Sequence, residues 1–302
     1  MKILKNIHES HYDFAICGLG FESRSVTAYN TSSGKIKSLI VLGYDENTEY
    51  FAYQENKKLF KTKTDRIFEI SDKDVITTLL LALQKENLNE RKNILIDITV
   101  MSRHRLATVM SLLIDKLIPD STITIAYSLS EFIKSPEGIT PVRKVCEIAE
   151  GFDGILGDLS LPTSVIIGLG YEQGKALGIS NYLDSWRDYL FIPQSAIPEF
   201  EKEVRQNNND LIESIASERV LDYNVNSPYS TYLDLKSLVL SLSDTSRPLL
   251  MPLGPKILAA LCVVLSKDLG SSVPVWRVSS EYTEEPVDRP PSGNDIGFTI
   301  QL

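Results

Sequence analysis

Asp97, Thr99, Ser102 and Arg103 fall together in Ile96-Asp97-Ile98-Thr99-Val100-Met101-Ser102-Arg103. An acid, two hydroxyls and a guanidinium at this spacing can hold a phosphate, grip a ribose hydroxyl or move a proton. The flanking residues say what positions them. Ile94 to Ile98 is a short apolar run, and from Ser102 onward Leu106, Val109, Met110 and Leu113 recur at the spacing of a helix face. A buried strand that passes within a few residues into a helix brings free helix N–H groups to the rim of a sheet, where parallel α/β folds bind ligands. The turn with Thr99, Ser102 and Arg103 is therefore the first anion-binding candidate. A cation just inside a helix amino end is unfavourable unless something negative faces it. Either a ligand or an internal partner such as Glu22 or Glu172 answers that need. Asp97, at the end of a buried strand, must be hydrogen-bonded or open to the rim. It can cap the turn, bind a ribose hydroxyl or serve as a general base.

A second set of candidates lies in two matching turns. Gly18-Leu19-Gly20-Phe21-Glu22 follows the apolar run from Phe14, and Gly168-Leu169-Gly170-Tyr171-Glu172 follows the one from Ser164. The dinucleotide fingerprint needs a third glycine, and Ser23 and Gln173 stand in its place. The glycines either relieve a sharp turn or let backbone N–H groups face a ligand, with Arg24 and Lys175 adding charge. Glu131 and Glu281, after the last strand of each half, are a further recurring pair, suited to solvation or to pairing with Arg103 and Lys256.

The elements around these residues alternate. Strands are expected at Phe14–Leu19, Ser38–Leu42, Arg66–Ile70, Ile94–Ile98 and Thr122–Tyr127. Helices are expected at Ser25–Asn30, Phe51–Phe60, Asp74–Lys85 (with Ser71 and Asp72 as caps) and from Ser102. Such alternation implies βαβ crossovers and a mostly parallel sheet. The pattern then returns. Arg219-Val220-Leu221-Asp222 matches Arg66-Ile67-Phe68-Glu69, and Leu249 to Val264 matches the stretch around Arg103. Lys256 there falls opposite Arg103, with Pro252, Gly254 and Pro255 in the turn before it. Val273 to Tyr282 matches Ile123 to Phe132. Four matches in one order point to an internal duplication. The expected fold class is α/β, with two duplicated Rossmann-like units of mostly parallel sheet related by a pseudo-two-fold. Their bounds are 1–135 and 163–302, with a connector at 136–162 and an edge strand or hairpin at Gly293–Gln301. The second half has Leu250 or Met251 where the first has Asp97.

Composition limits the functions. The chain has 302 residues, 43% of them hydrophobic and 24% charged, with a formal net charge of −9. That balance suits a globular protein and disfavours a broad nucleic-acid surface, though a pocket can still be locally positive. No segment approaches the roughly 18 apolar residues of a membrane span, and no secretion signal is apparent at the start. Three scattered cysteines and three histidines make no metal-ligand spacing, and a cytoplasmic location is expected. No Ser-His-Asp, HExxH or P-loop signature appears, and the sequence identifies no cofactor.

Ile96 to Arg103, with Ala107 and Met110 behind it, resembles the strand-to-helix motif of CARF domains, and Gly18–Ser25 sits where their first ligand-facing turn would be. The Gly-Gly-Thr-Lys turn of that family is Val100-Met101-Ser102-Arg103 here and Leu253-Gly254-Pro255-Lys256 in the second half. The duplicated layout is similar to SAVED domains, which look like two fused CARF units. The resemblance implies a Rossmann-like sensor of cyclic or linear oligonucleotide signals, with a separate effector protein, in bacterial antiphage defence. Its ligand contacts would be Thr99, Ser102, Arg103 and Lys256, with Gly20 and Gly170 lining the same cleft. The leading expectation is a protein that senses a nucleotide or other phosphate-bearing ligand held between its halves, with ligand-binding candidates Gly20, Glu22, Arg24, Asp97, Thr99, Ser102, Arg103, Gly170, Glu172, Gly254 and Lys256. The alternatives are a nucleotide-processing enzyme using Asp97 with Glu22 or Glu172, and a protein-interaction subunit that binds no small molecule.

Overall fold

The computed structural model describes residues 1–4, 11–135, 138, 142, 144–154, 158–279 (no side chain at 279) and 286–302. In chain order the elements are β1 (Lys2–Leu4), β2 (Phe14–Leu19), α1 (Thr27–Ser32), β3 (Leu39–Gly43), α2 (Tyr53–Lys61), β4 (Ile67–Glu69), α3 (Val75–Leu83), β5 (Asn93–Asp97), α4 (Arg103–Lys116) and β6 (Thr122–Ser130). There follow β7 (Lys144–Glu147), β8 (Thr163–Gly168), α5 (Lys175–Leu183), β9 (Arg187–Gln194), α6 (Pro198–Asn207), α7 (Asn209–Ser214), β10 (Val220–Asn224), α8 (Pro228–Leu242), β11 (Arg247–Pro252), α9 (Lys256–Asp268), β12 (Trp276–Ser279) and β13 (Pro291–Gln301). The chain divides into two compact units, Met1–Glu131 with Glu285–Leu302, and Phe132–Glu284.

In the first unit the sheet order is β1-β13-β6-β5-β2-β3-β4. The five strands β6-β5-β2-β3-β4 are parallel, while β13 and β1 add antiparallel at one edge. β2, β3 and β5 are almost continuously apolar and buried, as strands covered on both faces must be. One face packs Ala15, Cys17, Leu19, Val41 and Leu95 against Tyr29 of α1 and Tyr53 and Phe60 of α2. Of Ser71 and Asp72, read from the sequence as caps of α3, Ser71 instead precedes and Asp72 begins a short 3-10 turn over Asp72–Asp74. Asp74 precedes α3 without capping it through its side chain, and Ser71 Oγ donates to the Asp74 carboxylate at 2.7 Å.

In the second unit the order is β10-β9-β8-β11, again all parallel. Numbered within each unit, both sheets therefore run third-second-first-fourth. The register agrees as well. Gly18 pairs with Leu42, which pairs with Phe68; Gly168 pairs with Phe191, which pairs with Leu221. Met251 pairs with Ile167 as Asp97 pairs with Cys17, so Met251 occupies the place of Asp97.

The fifth strand breaks the correspondence. β6 joins β5 in a full parallel ladder, but β12 pairs antiparallel with β7 and the chain before it touches β11 through one bridge, Leu250 to Val275. Proline explains the difference. The N–H groups of Arg247 and Leu253 point to β8, and that of Leu250 points to Pro274. Alternation then aims positions 248 and 252 toward the fifth strand, and both are proline, without an N–H to give. The tail also departs from expectation, because β13, expected as an edge strand or hairpin of the second half, instead joins the first sheet between β1 and β6. Glu281 and the Ser280–Tyr282 end of the expected last strand lie outside the described residues. Among the described residues no helix is long and apolar enough to cross a membrane.

Candidate ligand-binding rims

The expected site residues of the first unit gather at the carboxyl end of β2 and β5. Asp97 is the last residue of β5 and is 1% exposed. One of its oxygens accepts the Thr99 N–H at 2.9 Å, which closes the turn, and the other accepts no hydrogen bond. Burial pushes its pKa from 3.8 up to about 6; hydrogen bonds from Thr99 and the charge of Arg24 oppose the rise, and Asp295 adds to it. The Thr99 hydroxyl, fully buried, accepts the Ser128 N–H at 3.0 Å. Ser102 caps α4, accepting the Arg105 N–H at 3.0 Å, and donates to Asp72 at 2.9 Å. Arg103 is the first residue of α4 and is half-buried.

The first turn is held by internal pairs. Arg24 is buried, donating to Glu22 at 2.6 Å and to the Ser128 carbonyl at 2.7 Å. Burial works against its charge, yet Tyr127 and Glu22 hold its pKa above the ordinary arginine value. Arg289 also reaches Glu22, at 3.4 Å. Asp288 takes the Ser23 N–H at 2.7 Å and the Ser23 hydroxyl at 2.5 Å. A carboxylate of the chain itself thus occupies the amide and hydroxyl that follow the glycine turn. A side chain on Gly20 would press on Val100 at 3.0 Å, so the glycine lets the first turn meet the turn before α4.

The second unit repeats this junction. Gly170 lies against the Leu253 backbone and Gly254 against the Leu169 carbonyl, so neither position has room for a Cβ. Glu172 pairs with Lys175, the first residue of α5, at 3.4 Å. Lys256 is the first residue of α9, the same place as Arg103 on α4. Lys175 and Lys256 therefore open helices that leave the adjacent strands β8 and β11.

Three features escaped sequence reasoning. Arg105, fully buried, donates to Asp72 at 2.8 Å and to the carbonyls of Gly43 and Ile70 at 2.8 Å each, and stacks 3.7 Å from the Tyr44 ring. It ties α4 to the ends of β3 and β4. Asn56 Nδ2 donates to the Gly20 carbonyl at 3.0 Å, and Asn208 Nδ2 donates to the Gly170 carbonyl at 2.9 Å. Both asparagines are buried, and each anchors the same carbonyl of its glycine turn. Asp288 is the third; nothing near it in sequence signals a partner so distant.

Among the described residues no group of three or more His, Cys, Asp or Glu is placed to hold a metal ion. Comparison of the chain with protein-family models finds no match, and comparison with curated protein sequences finds none either.

Proposed function

We propose that the chain is a sensor for a nucleotide-type, phosphate-bearing signal, recognised at the carboxyl rims of two Rossmann-like units that arose by duplication. The observation that carries this reading is the twice-built junction. In each unit a glycine turn after the first strand abuts the turn after the fourth, and a cation, Arg103 or Lys256, opens the helix that follows. Helix N–H groups and a cation beside a tightly packed glycine turn suit a phosphate. The sequence resemblance to CARF and SAVED domains supports an oligonucleotide as the ligand, a separate effector as the output and antiphage defence as the setting. The test is calorimetric titration with cyclic and linear oligonucleotides. Arg103→Ala and Lys256→Ala should each weaken binding by about tenfold or more. Absence of binding to every member of the panel rejects the reading.

Two observations favour other readings. The raised pKa and unpartnered oxygen of Asp97 suit acid–base chemistry, but at 1% exposure the carboxyl is closed off from any substrate. Turnover of a nucleotide that Asp97→Asn abolishes would establish an enzyme. Asp288 and Arg289 fill the first turn with the chain's own side chains, which favours an interaction subunit if no ligand displaces them.

A further inference from the structure

The opposite end of the second sheet, where β9 and β10 begin, carries an open depression of about 340 Å³ lined by the exposed Arg187 and Glu218 and the half-buried Tyr189 and Arg219. Strand alternation puts Arg187 and Tyr189 on one face of β9 and the buried Asp188 on the other. Val220 pairs with Leu190, which brings Arg219 alongside Tyr189. Among the described residues neither guanidinium makes an ion pair. Arg187 stacks 3.9 Å from the Trp186 ring, and Arg219 donates one bond, at 3.4 Å, to the Asp188 carbonyl. Glu218 shares the wall without pairing with either.

The first unit shows what this position holds. By register, Arg66 corresponds to Arg219 and Ser38 to Arg187. Arg66 donates to the Glu86 carboxylate and, at 2.8 Å, to the Ser38 hydroxyl, and Ser38 itself donates to Glu86 at 2.9 Å. Glu86 comes from the long connection between α3, which ends at Leu83, and β5, which begins at Asn93. Between its third and fourth strands the second unit has a stretch of similar length, residues 225–246 against 70–92, but α8 runs on to Leu242 through the part that corresponds to the Glu86 segment, and among the described residues no carboxylate from it pairs with Arg187 or Arg219. The first unit therefore has one arginine, one serine and a carboxylate that answers them. The second has two arginines in register with that serine and arginine, and an open depression beside them.

From this contrast the geometry points to an oxyanion-binding site at Arg187 and Arg219, which takes a carboxylate or phosphate group of an external ligand in the place that Glu86 fills in the first unit. Two guanidinium forks suit the planar or tetrahedral oxygens of such a group. Stacking on Trp186 covers one face of Arg187 and leaves its in-plane N–H edge available. Tyr189 offers a ring beside the anion for an apolar or aromatic portion of the ligand. The volume lies at the small end of the range for ligand pockets, roughly 300–1,000 Å³, which fits a compact anionic group. The site is at the amino ends of the strands and does not depend on the rims.

The test uses the full chain and two probes, inorganic phosphate and glutarate, each against chloride at matched ionic strength. The readout is the Trp186 indole N–H resonance, with the Trp276 resonance as internal reference. The expected result is a saturable shift of Trp186 alone, weakened about tenfold or more by Arg187→Ser and by Arg219→Ala, with thermal melting confirming that both variants fold. A response to phosphate alone assigns a phosphoryl ligand, a response to glutarate alone an acidic one, and a response to both an unselective oxyanion site. No saturable shift with either probe, or a shift that survives both substitutions, overturns the assignment.

Discussion

Asp97→Asn should change the pH dependence of stability more than stability itself. The carboxyl is buried, its folded pKa is about 6 against an ordinary 3.8, and one oxygen has no partner. An acid with a raised folded pKa binds its proton more tightly in the native state. Its contribution is therefore fully present below about pH 4 and is lost as pH rises through about 6, amounting to about 3 kcal/mol in all. Asparagine does not titrate, so it removes that slope. It keeps an acceptor for the Thr99 N–H and buries an amide N–H in place of the unpartnered oxygen, a cost of about 1–3 kcal/mol at any pH. The variant should thus be less stable than the parent at pH 4 and should recover about 3 kcal/mol relative to it by pH 8. Urea unfolding at the two pH values measures the difference, and a carbon NMR titration of the Asp97 carboxyl gives the midpoint directly. An equal stability difference at both pH values, or a carboxyl midpoint near 4, would refute the reasoning.

Arg105→Met should destabilise the first unit by about 3–5 kcal/mol, because it strands the carbonyls of Gly43 and Ile70 and frees Asp72; Arg105→Lys should recover little, since an ammonium lacks the fork that reaches all three. Asn56→Ala and Asn208→Ala should each cost about 1–3 kcal/mol by leaving a buried turn carbonyl unpaired, read as a lower urea midpoint in the transition of the unit that carries the substitution. Gly254→Ala should lower the melting temperature of the second unit, because the new methyl meets the Leu169 carbonyl; a melting temperature equal to the parent's would show that the turn gives way freely.

The sequence disclosed the strand-turn-helix units because their apolar periodicity is strong and their strands are buried on both faces. Arg103 and Lys256 stand at the starts of α4 and α9 for that reason. The role of Arg105 was not legible. A charged residue on a helix is ordinarily exposed, and only the three-dimensional meeting of Asp72 with two strand-end carbonyls makes its burial tolerable. Asn56 and Asn208 were equally hidden, since a buried amide is specified by the carbonyl it meets and not by its neighbours in sequence. The detached fifth strand of the second unit was within reach of sequence reasoning, because Pro248 and Pro252 share one parity in β11. The arginines at the amino ends of β9 and β10 gained meaning only when the register set them beside Ser38 and Arg66.

The rims themselves give the most direct test of the proposed function. Hydrogen exchange would be followed at the turns 18–24, 98–103, 168–175 and 252–256 while cyclic and linear oligonucleotides are added. The account predicts protection confined to these turns with at least one of them, lost in the Arg103→Ala and Lys256→Ala variants. Unchanged exchange at all four turns across the panel would contradict it.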